Sequence, residues 1–317
     1  MAVENKEKRD IYDLIIIGAG PAGLTASIYA SRYKINHLVI GYALGGLAFD
    51  AHKICNFPTE VEISGAELTR RMQNHMEHLG GKLLLDEVRD IKRDDDGRFR
   101  IITQNNQEEF LTKTIVLAIG TKHRRLNLPE EEKFLGKGIS YCATCDAMFY
   151  RDKVVAVYGG SDSANTASIY LSQVAKKVYQ IYRRDKLRGD PSWIEQVLKN
   201  EKIEVIYNRR IVGLKGENKL EKIILDNEYQ RKKEIEVDGL FIEIGTVPDD
   251  KLIKKLNLET DENGYIKVKN DQQTSQEGVW AAGDITNNSN NFRQIITACS
   301  EGAIAVNSIF DYLNKNK

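Results

Sequence analysis

Two cysteines with two residues between them, followed at once by an acid, stand mid-chain: Cys142-Ala143-Thr144-Cys145-Asp146. Such a pair can close a small disulfide ring and open it again. Asp146 is placed to hold or deliver a proton when a thiolate forms. Structural zinc takes four ligands, and no second Cys or His pair stands nearby in the sequence. In a reducing compartment the pattern reads as redox-active. Cys55 and Cys299 are single and distant. Cys55 is expected to be a buried structural thiol, since free cysteine is among the most buried residue types. No metal site is expected: His75 and His78 read as the solvated flank of a helix.

Electrons must reach those sulfurs, and two glycine-rich turns are placed to bring them. Tyr12–Ile17 is an apolar run of the kind buried in a parallel sheet. It leads into Gly18-Ala19-Gly20-Pro21-Ala22-Gly23, ahead of a helical pattern from Leu24 to Tyr33. Gly18 allows the tight turn, Gly20 lets a pyrophosphate approach the backbone, and Gly23 lets helix and strand pack closely. The helix N-terminus then offers N–H groups to phosphate. The next strand, Asn36–Ile40, is expected to end in an acid for the ribose but ends in Gly41, so the ribose contact comes from elsewhere. The loop 41–47, with Gly41, Gly45, Gly46 and Leu47, reads either as cofactor lining or as a surface turn.

The second turn follows the strand Lys153–Tyr158 and runs Gly159-Gly160-Ser161-Asp162-Ser163-Ala164, a G-x-G-x-x-A pattern with Ser161 in place of the middle glycine. The strand Lys177–Tyr182 leads into Arg183-Arg184, with Arg188 close behind. A ribose 2′-phosphate would lie there, which favours NADPH over NADH; the other reading is a solvated basic loop.

The rest of the chain agrees with a two-part carrier. At 317 residues it suggests about two domains. Its 46 basic and 46 acidic residues balance, leaving no electrostatic footprint for nucleic acid or an anionic membrane. No apolar run approaches the roughly 20 residues that span a bilayer. Met1–Asp10 is charged and lacks the apolar core of a signal peptide, so a cytoplasmic location is expected. Each half repeats one order: strand, glycine turn, helix, β-rich excursion, and a strand ending in Gly-Thr, at Ile115–Thr121 and Gly239–Thr246. The tail returns to the first half through a strand ending in Gly283-Asp284. There Phe292-Arg293-Gln294 is expected to open a long helix with its positive end toward the cofactor. The expected fold is α/β, with two Rossmann-like three-layer nucleotide-binding domains, the second inserted into the first. The expected boundaries are 1–121 with 248–317 for the first nucleotide-binding domain and 122–247 for the second, which carries the cysteines.

With these motifs together, residues 11 to 313 resemble the low-molecular-weight thioredoxin reductases. The most specific segment is Ser140 to Asp146 with Phe149-Tyr150-Arg151; Asn56-Phe57-Pro58, Gly45-Gly46-Leu47, Arg183-Arg184 with Arg188, Ala281 to Asp284 and Arg293-Gln294 add to it. The resemblance implies that the first domain is the FAD-binding one and the second the NAD(P)H-binding one. It implies FAD at the first turn, with Asn56, Val88, Ala118, Gly120 and Ile295 added to the residues above. It implies NADPH at the second, a homodimer, and electrons passing through a Cys142–Cys145 disulfide to thioredoxin or a similar dithiol protein. Cys145, nearer Asp146, is the expected flavin-side sulfur and Cys142 the expected interchange thiol, with the sulfur that attacks the partner left open between them. The family pattern is broken at Ser161, at Thr166-Ala167 where an acidic pair is usual, and at Tyr182 where a histidine is usual. Three alternatives therefore stay open: a ferredoxin-fed reductase, one serving a glutaredoxin or peroxiredoxin, and a flavoprotein that senses redox state without turnover.

Overall fold

The computed structural model of the protein describes residues 11–315, and the charged stretch Met1–Asp10 lies outside the described residues. The chain forms two compact units. One takes the residues up to Lys122 and from Pro248 on; the other is His123–Val247.

In the discontinuous unit, β1 (Ile11–Ile17), α1 (Pro21–Arg32), β2 (His37–Gly41), α2 (Gly65–His78), β3 (Leu83–Leu85), β4 (Val88–Arg93), β5 (Phe99–Thr103) and β6 (Glu109–Leu117) follow in order. They build a sheet of order β3-β2-β1-β6-β5-β4, and the late strand Val279–Ala281 also joins β6. β6 is long enough to serve twice. Its first half pairs antiparallel with β5, and its second half pairs parallel with Val279–Ala281. β1 pairs parallel with both neighbours, bringing Ile17 level with Ile40 and Leu117. The strand ends that hold a ligand in such sheets therefore stand in one row.

Burial explains the apolar runs. Leu14, Ile16, Val39, Val116 and Trp280 pack on one face of the sheet against α1 and the last helix, Ile295–Lys315. Ile15, Ile17, Ile40, Ile115, Leu117 and Val279 pack on the other. Neighbouring residues along a strand point to opposite faces, so a sheet covered on both needs apolar residues at every position. α1 and the last helix touch closely: a methyl group on Gly302 would lie 2.2 Å from the Ala22 carbonyl oxygen.

The continuous unit holds a five-stranded sheet in the order Ile203–Ile206, Lys177–Ile181, Val154–Tyr158, Gly239–Ile242, Ile139–Ser140, with every neighbouring pair parallel. An antiparallel three-stranded sheet, Ile211–Lys215, Lys222–Tyr229 and Lys232–Glu236, forms its β-rich excursion. The segments that connect the units, Thr121–His123 and Thr246–Pro248, pair as a two-stranded sheet. Among the described residues no helix is long and apolar enough to cross a membrane.

Candidate active site and nucleotide cradles

Cys142 and Cys145 are joined in a disulfide with their Cα atoms 5.3 Å apart. The lead-in strand Ile139–Ser140 is fixed by its parallel pairing with Gly239–Ile242. Ser140 Oγ accepts from the Cys142 N–H at 3.0 Å. The Cys145 N–H donates to Cys142 Sγ at 3.1 Å. Asp146 is half-buried and ends the short helix Ala143–Asp146. Burial first, then the negative charges of Asp146 and Asp238, pushes the Tyr150 phenol up.

Beside the cysteines, the Tyr141 hydroxyl donates to Glu131, a carboxylate only 4 % exposed. The Arg125 guanidinium lies 5.5 Å from the Tyr141 ring centre. Burial and the Glu131 bond push the Tyr141 phenol up to about 12. Sequence reading missed Glu131, because in Glu130-Glu131-Glu132 it has the look of a solvated charge run.

The first glycine turn sits on the strand ends of the discontinuous unit. The Gly18 N–H donates to the Ile40 carbonyl at 2.7 Å, Ala118 to Ile17 at 2.7 Å, and Gly45 to Ala19 at 2.8 Å. A methyl group on Gly18 would lie 2.1 Å from the Ala118 oxygen, and one on Gly23 would lie 1.9 Å from the Gly18 oxygen. Gly20 and Gly46 are different: a Cβ there would make only ordinary contacts, its nearest neighbour at 3.7 Å and 3.9 Å. Gly20 also caps α1 without a side-chain bond, and Pro21 follows it. The turn thus offers room and helix N–H groups to a dinucleotide's pyrophosphate, which fits the site to such a cofactor. Gly120 has φ +60° with open space beside it, while the Val88 side chain is in the core with Ile17 and Ile40.

Gly283 and Asp284 reach the same turn, since a Cβ on Gly283 would lie 3.0 Å from that of Ala22. Burial pushes the Asp284 carboxyl up, against the pull of Arg293 and with a further push from Glu301. Glu301 is the residue that sequence reading missed here. Buried on the last helix, it accepts from the Gly283 N–H at 2.8 Å, the Thr286 hydroxyl at 2.9 Å and the Ser289 hydroxyl at 2.6 Å, so one carboxylate holds the whole loop. Asn56 donates to Gln294 Oε1 at 3.1 Å, joining those two predicted residues. The Arg293 guanidinium lies 3.7 Å from the Tyr265 ring centre.

Two expectations are corrected. The last helix begins at Ile295, not at Phe292: Thr297 Oγ1 donates to the Phe292 carbonyl and accepts from the Gln294 N–H, which makes Gln294 the cap. Cys55 is exposed, not buried. Its neighbour Ile54 pairs with Ile63 through an isolated bridge and is buried with Ile63 and Leu68, while Cys55 stands outside that small core.

The second turn repeats the frame. The Gly159 N–H donates to Ile181 at 3.0 Å and Glu243 to Tyr158 at 2.9 Å. Ser161 precedes the helix Asp162–Val174 and makes no side-chain cap; its φ of −115° is open to any residue, so the departure from glycine concerns space alone. A Cβ on Gly160 would lie 2.4 Å from the Tyr182 ring, and Tyr182 is in the core. Arg183, Arg184 and Arg188 are exposed. Among the described residues no ion pair engages any of the three.

The sequence pattern of the pyridine nucleotide-disulphide oxidoreductases matches residues 12–302. Thioredoxin reductase of Peptoclostridium acidaminophilum is 38% identical over 97% of this chain and 98% of that protein. The chain belongs to the thioredoxin reductase family. The family is a flavin- and pyridine-nucleotide-using one, and the Cys142–Cys145 disulfide fits a redox-active dithiol in its oxidised form. The solved thioredoxin reductase of Lactococcus lactis is matched with TM-score 0.90 at 34% identity, over 96% of this chain and 99% of that one. A ferredoxin-flavin thioredoxin reductase from Clostridium acetobutylicum is matched with TM-score 0.52 at 30% identity, over 96% of this chain and 99% of that one.

Proposed function

We propose that the protein carries electrons from NADPH, with FAD at the first turn, to thioredoxin or a similar dithiol protein. The observation that carries the choice of donor is the set Arg183, Arg184 and Arg188: exposed, engaged in no ion pair among the described residues, and next to the second glycine turn. Guanidiniums so placed suit a phosphate on the ribose. FAD, when bound, supplies the two-electron carrier between the nicotinamide and the disulfide.

The chain's own residues then act on the partner. In the dithiol form, the Cys142 thiolate is favoured by the Cys145 N–H that points at its sulfur. It attacks one sulfur of the partner's disulfide, forming a mixed disulfide and releasing the other partner sulfur as a thiolate. Cys145 next attacks Cys142 Sγ, which restores the internal disulfide and frees the second partner thiol. Two electrons leave the chain, and Asp146 serves the protons that the two partner thiols require.

Anaerobic stopped-flow absorbance tests the donor. NADPH is expected to bleach the flavin rapidly, and NADH far more slowly. Bleaching by neither, with normal reduction by dithionite, would sink NADPH as donor. A second reading, a ferredoxin-fed enzyme, draws on the likeness to the Clostridium acetobutylicum protein and on Ser161. Reduced ferredoxin would then bleach a flavin that NADPH leaves yellow.

A further inference from the structure

Two polar side chains lie deep in the continuous unit where an apolar pair would pack. Asn165, on the helix Asp162–Val174, and Gln180, on the strand Lys177–Ile181, are both fully buried. Val178 and Tyr182, which share Gln180's strand face, pack with Ala164, Ala167 and Leu171. Within that layer Gln180 Nε2 donates to Asn165 Oδ1 at 2.9 Å and, at 3.4 Å, to the Gly159 carbonyl. Asn165 Nδ2 donates onward to the Arg188 carbonyl at 3.0 Å. The Arg188 N–H returns to the glycine turn, donating to the Gly160 carbonyl at 2.7 Å. Arg188 is thereby held through both backbone groups, one tied to the turn and the other to the buried pair. Asp162 Oδ1 fastens the same loop two residues on, through the Asp190 N–H at 2.7 Å.

The pair is a poor solution for stability alone. Gln180 Oε1 is buried without a partner. A buried acceptor left unmade is costly, and replacing both partners by apolar groups of like shape is often neutral or stabilising. We infer that Asn165 and Gln180 are positioning residues of the second nucleotide site: they fasten Arg188 against the glycine turn and so set affinity for a phosphate on the donor's ribose. The inference rests on the reading that this unit takes NADPH.

The test uses the full chain loaded with flavin, its parent form compared with the double variant Asn165→Leu/Gln180→Met. Calorimetry measures binding of adenosine 2′,5′-bisphosphate, with 5′-AMP as the probe lacking the 2′-phosphate. The variant is expected to lose about tenfold in bisphosphate affinity, with 5′-AMP binding unmoved. Its melting midpoint is expected to stay level or rise, which a merely structural role would not allow. The Michaelis constant for NADPH should rise with kcat kept. Bisphosphate affinity within about twofold of the parent would overturn the inference and leave the NADPH reading standing. A parent that does not prefer the bisphosphate over 5′-AMP would overturn both. If the double variant does not fold, Asn165→Ser, too short to reach Arg188, is read against the same outcomes.

Discussion

In the first turn, the strand that follows ends in Gly41 and the residue facing it is Ala19; in the second, the strand is followed by Tyr182 and the residue facing it is Gly160. The hydrogen-bonded frames match: Gly18 to Ile40 corresponds to Gly159 to Ile181. The volumes are exchanged. A Cβ on Gly41 would lie 2.6 Å from that of Ala19, and one on Gly160 would lie 2.4 Å from the Tyr182 ring. At the first turn the matching place is Gly41, which has no side chain. At the second, a tyrosine fills that place and joins the core. Beyond that filled place, Arg183, Arg184 and Arg188 stand exposed along the loop. Two turns with matching hydrogen bonds can thus put side-chain volume in different places.

The largest difference between the units is chemical. Cys142→Ser or Cys145→Ser is expected to abolish reduction of the partner while the flavin stays bound, read by a thioredoxin-coupled assay and by absorbance. Full turnover in either variant would sink the mechanism. The equivalence of the two frames is tested next by Gly18→Val and Gly159→Val. In each, the new Cβ would stand 2.1 Å from a backbone carbonyl oxygen, of Ala118 and Glu243 respectively. Each is expected to cost about 3 kcal/mol or more, measured by denaturant unfolding, and Gly18→Val should also lose the flavin. If one position tolerates valine, the frames are not equivalent.

Those frames were legible because their signals are local: an apolar run, glycines at fixed spacing, a helix start. The arginines and Gly283-Asp284 were legible for the same reason. What holds these groups was not. Glu301 takes an N–H from a residue 18 positions earlier, and nothing in an acid on a helix announces that partner. Asn165 and Gln180 lie 15 positions apart on different elements, and only packing makes them a pair. Cys55 is exposed although its type is usually buried, because a residue type's average burial says nothing of a loop position beside a small core.

A smaller effect tests the exchange of volumes directly. Gly160→Ala is expected to cost about 1–3 kcal/mol, since its methyl group would enter the Tyr182 ring. Tyr182→Ala alone leaves a cavity. The double variant should recover part of both losses, with a coupling of about 1 kcal/mol in a double-mutant cycle. Simple additivity would mean that the glycine is required for another reason.

The smallest effect lies at the extremes of pH and is read at one group in each unit. In the discontinuous unit, burial alone would raise the Asp86 carboxyl. The N–H groups of Asn105, Asn106 and Glu87, at 3.0, 3.2 and 2.7 Å, outweigh it and hold the group below the ordinary carboxylate range. A lowered value favours the charged form in the fold, so this stabilisation is present above about pH 4 and is lost as pH falls through the folded value. In the continuous unit, Tyr141 is raised to about 12. A raised value favours the neutral phenol, so its stabilisation is whole below about pH 10 and is lost as pH rises toward 12. Hydrogen exchange near the acid and alkaline limits should show protection falling first around residues 86 and 105 in acid and around residues 131 and 141 in alkali. Tyr141→Phe removes the alkaline arm, at a cost near neutral pH of about 1–3 kcal/mol for the Glu131 carboxylate left without that donor. An unchanged alkaline limit in that variant would mean that another group sets it.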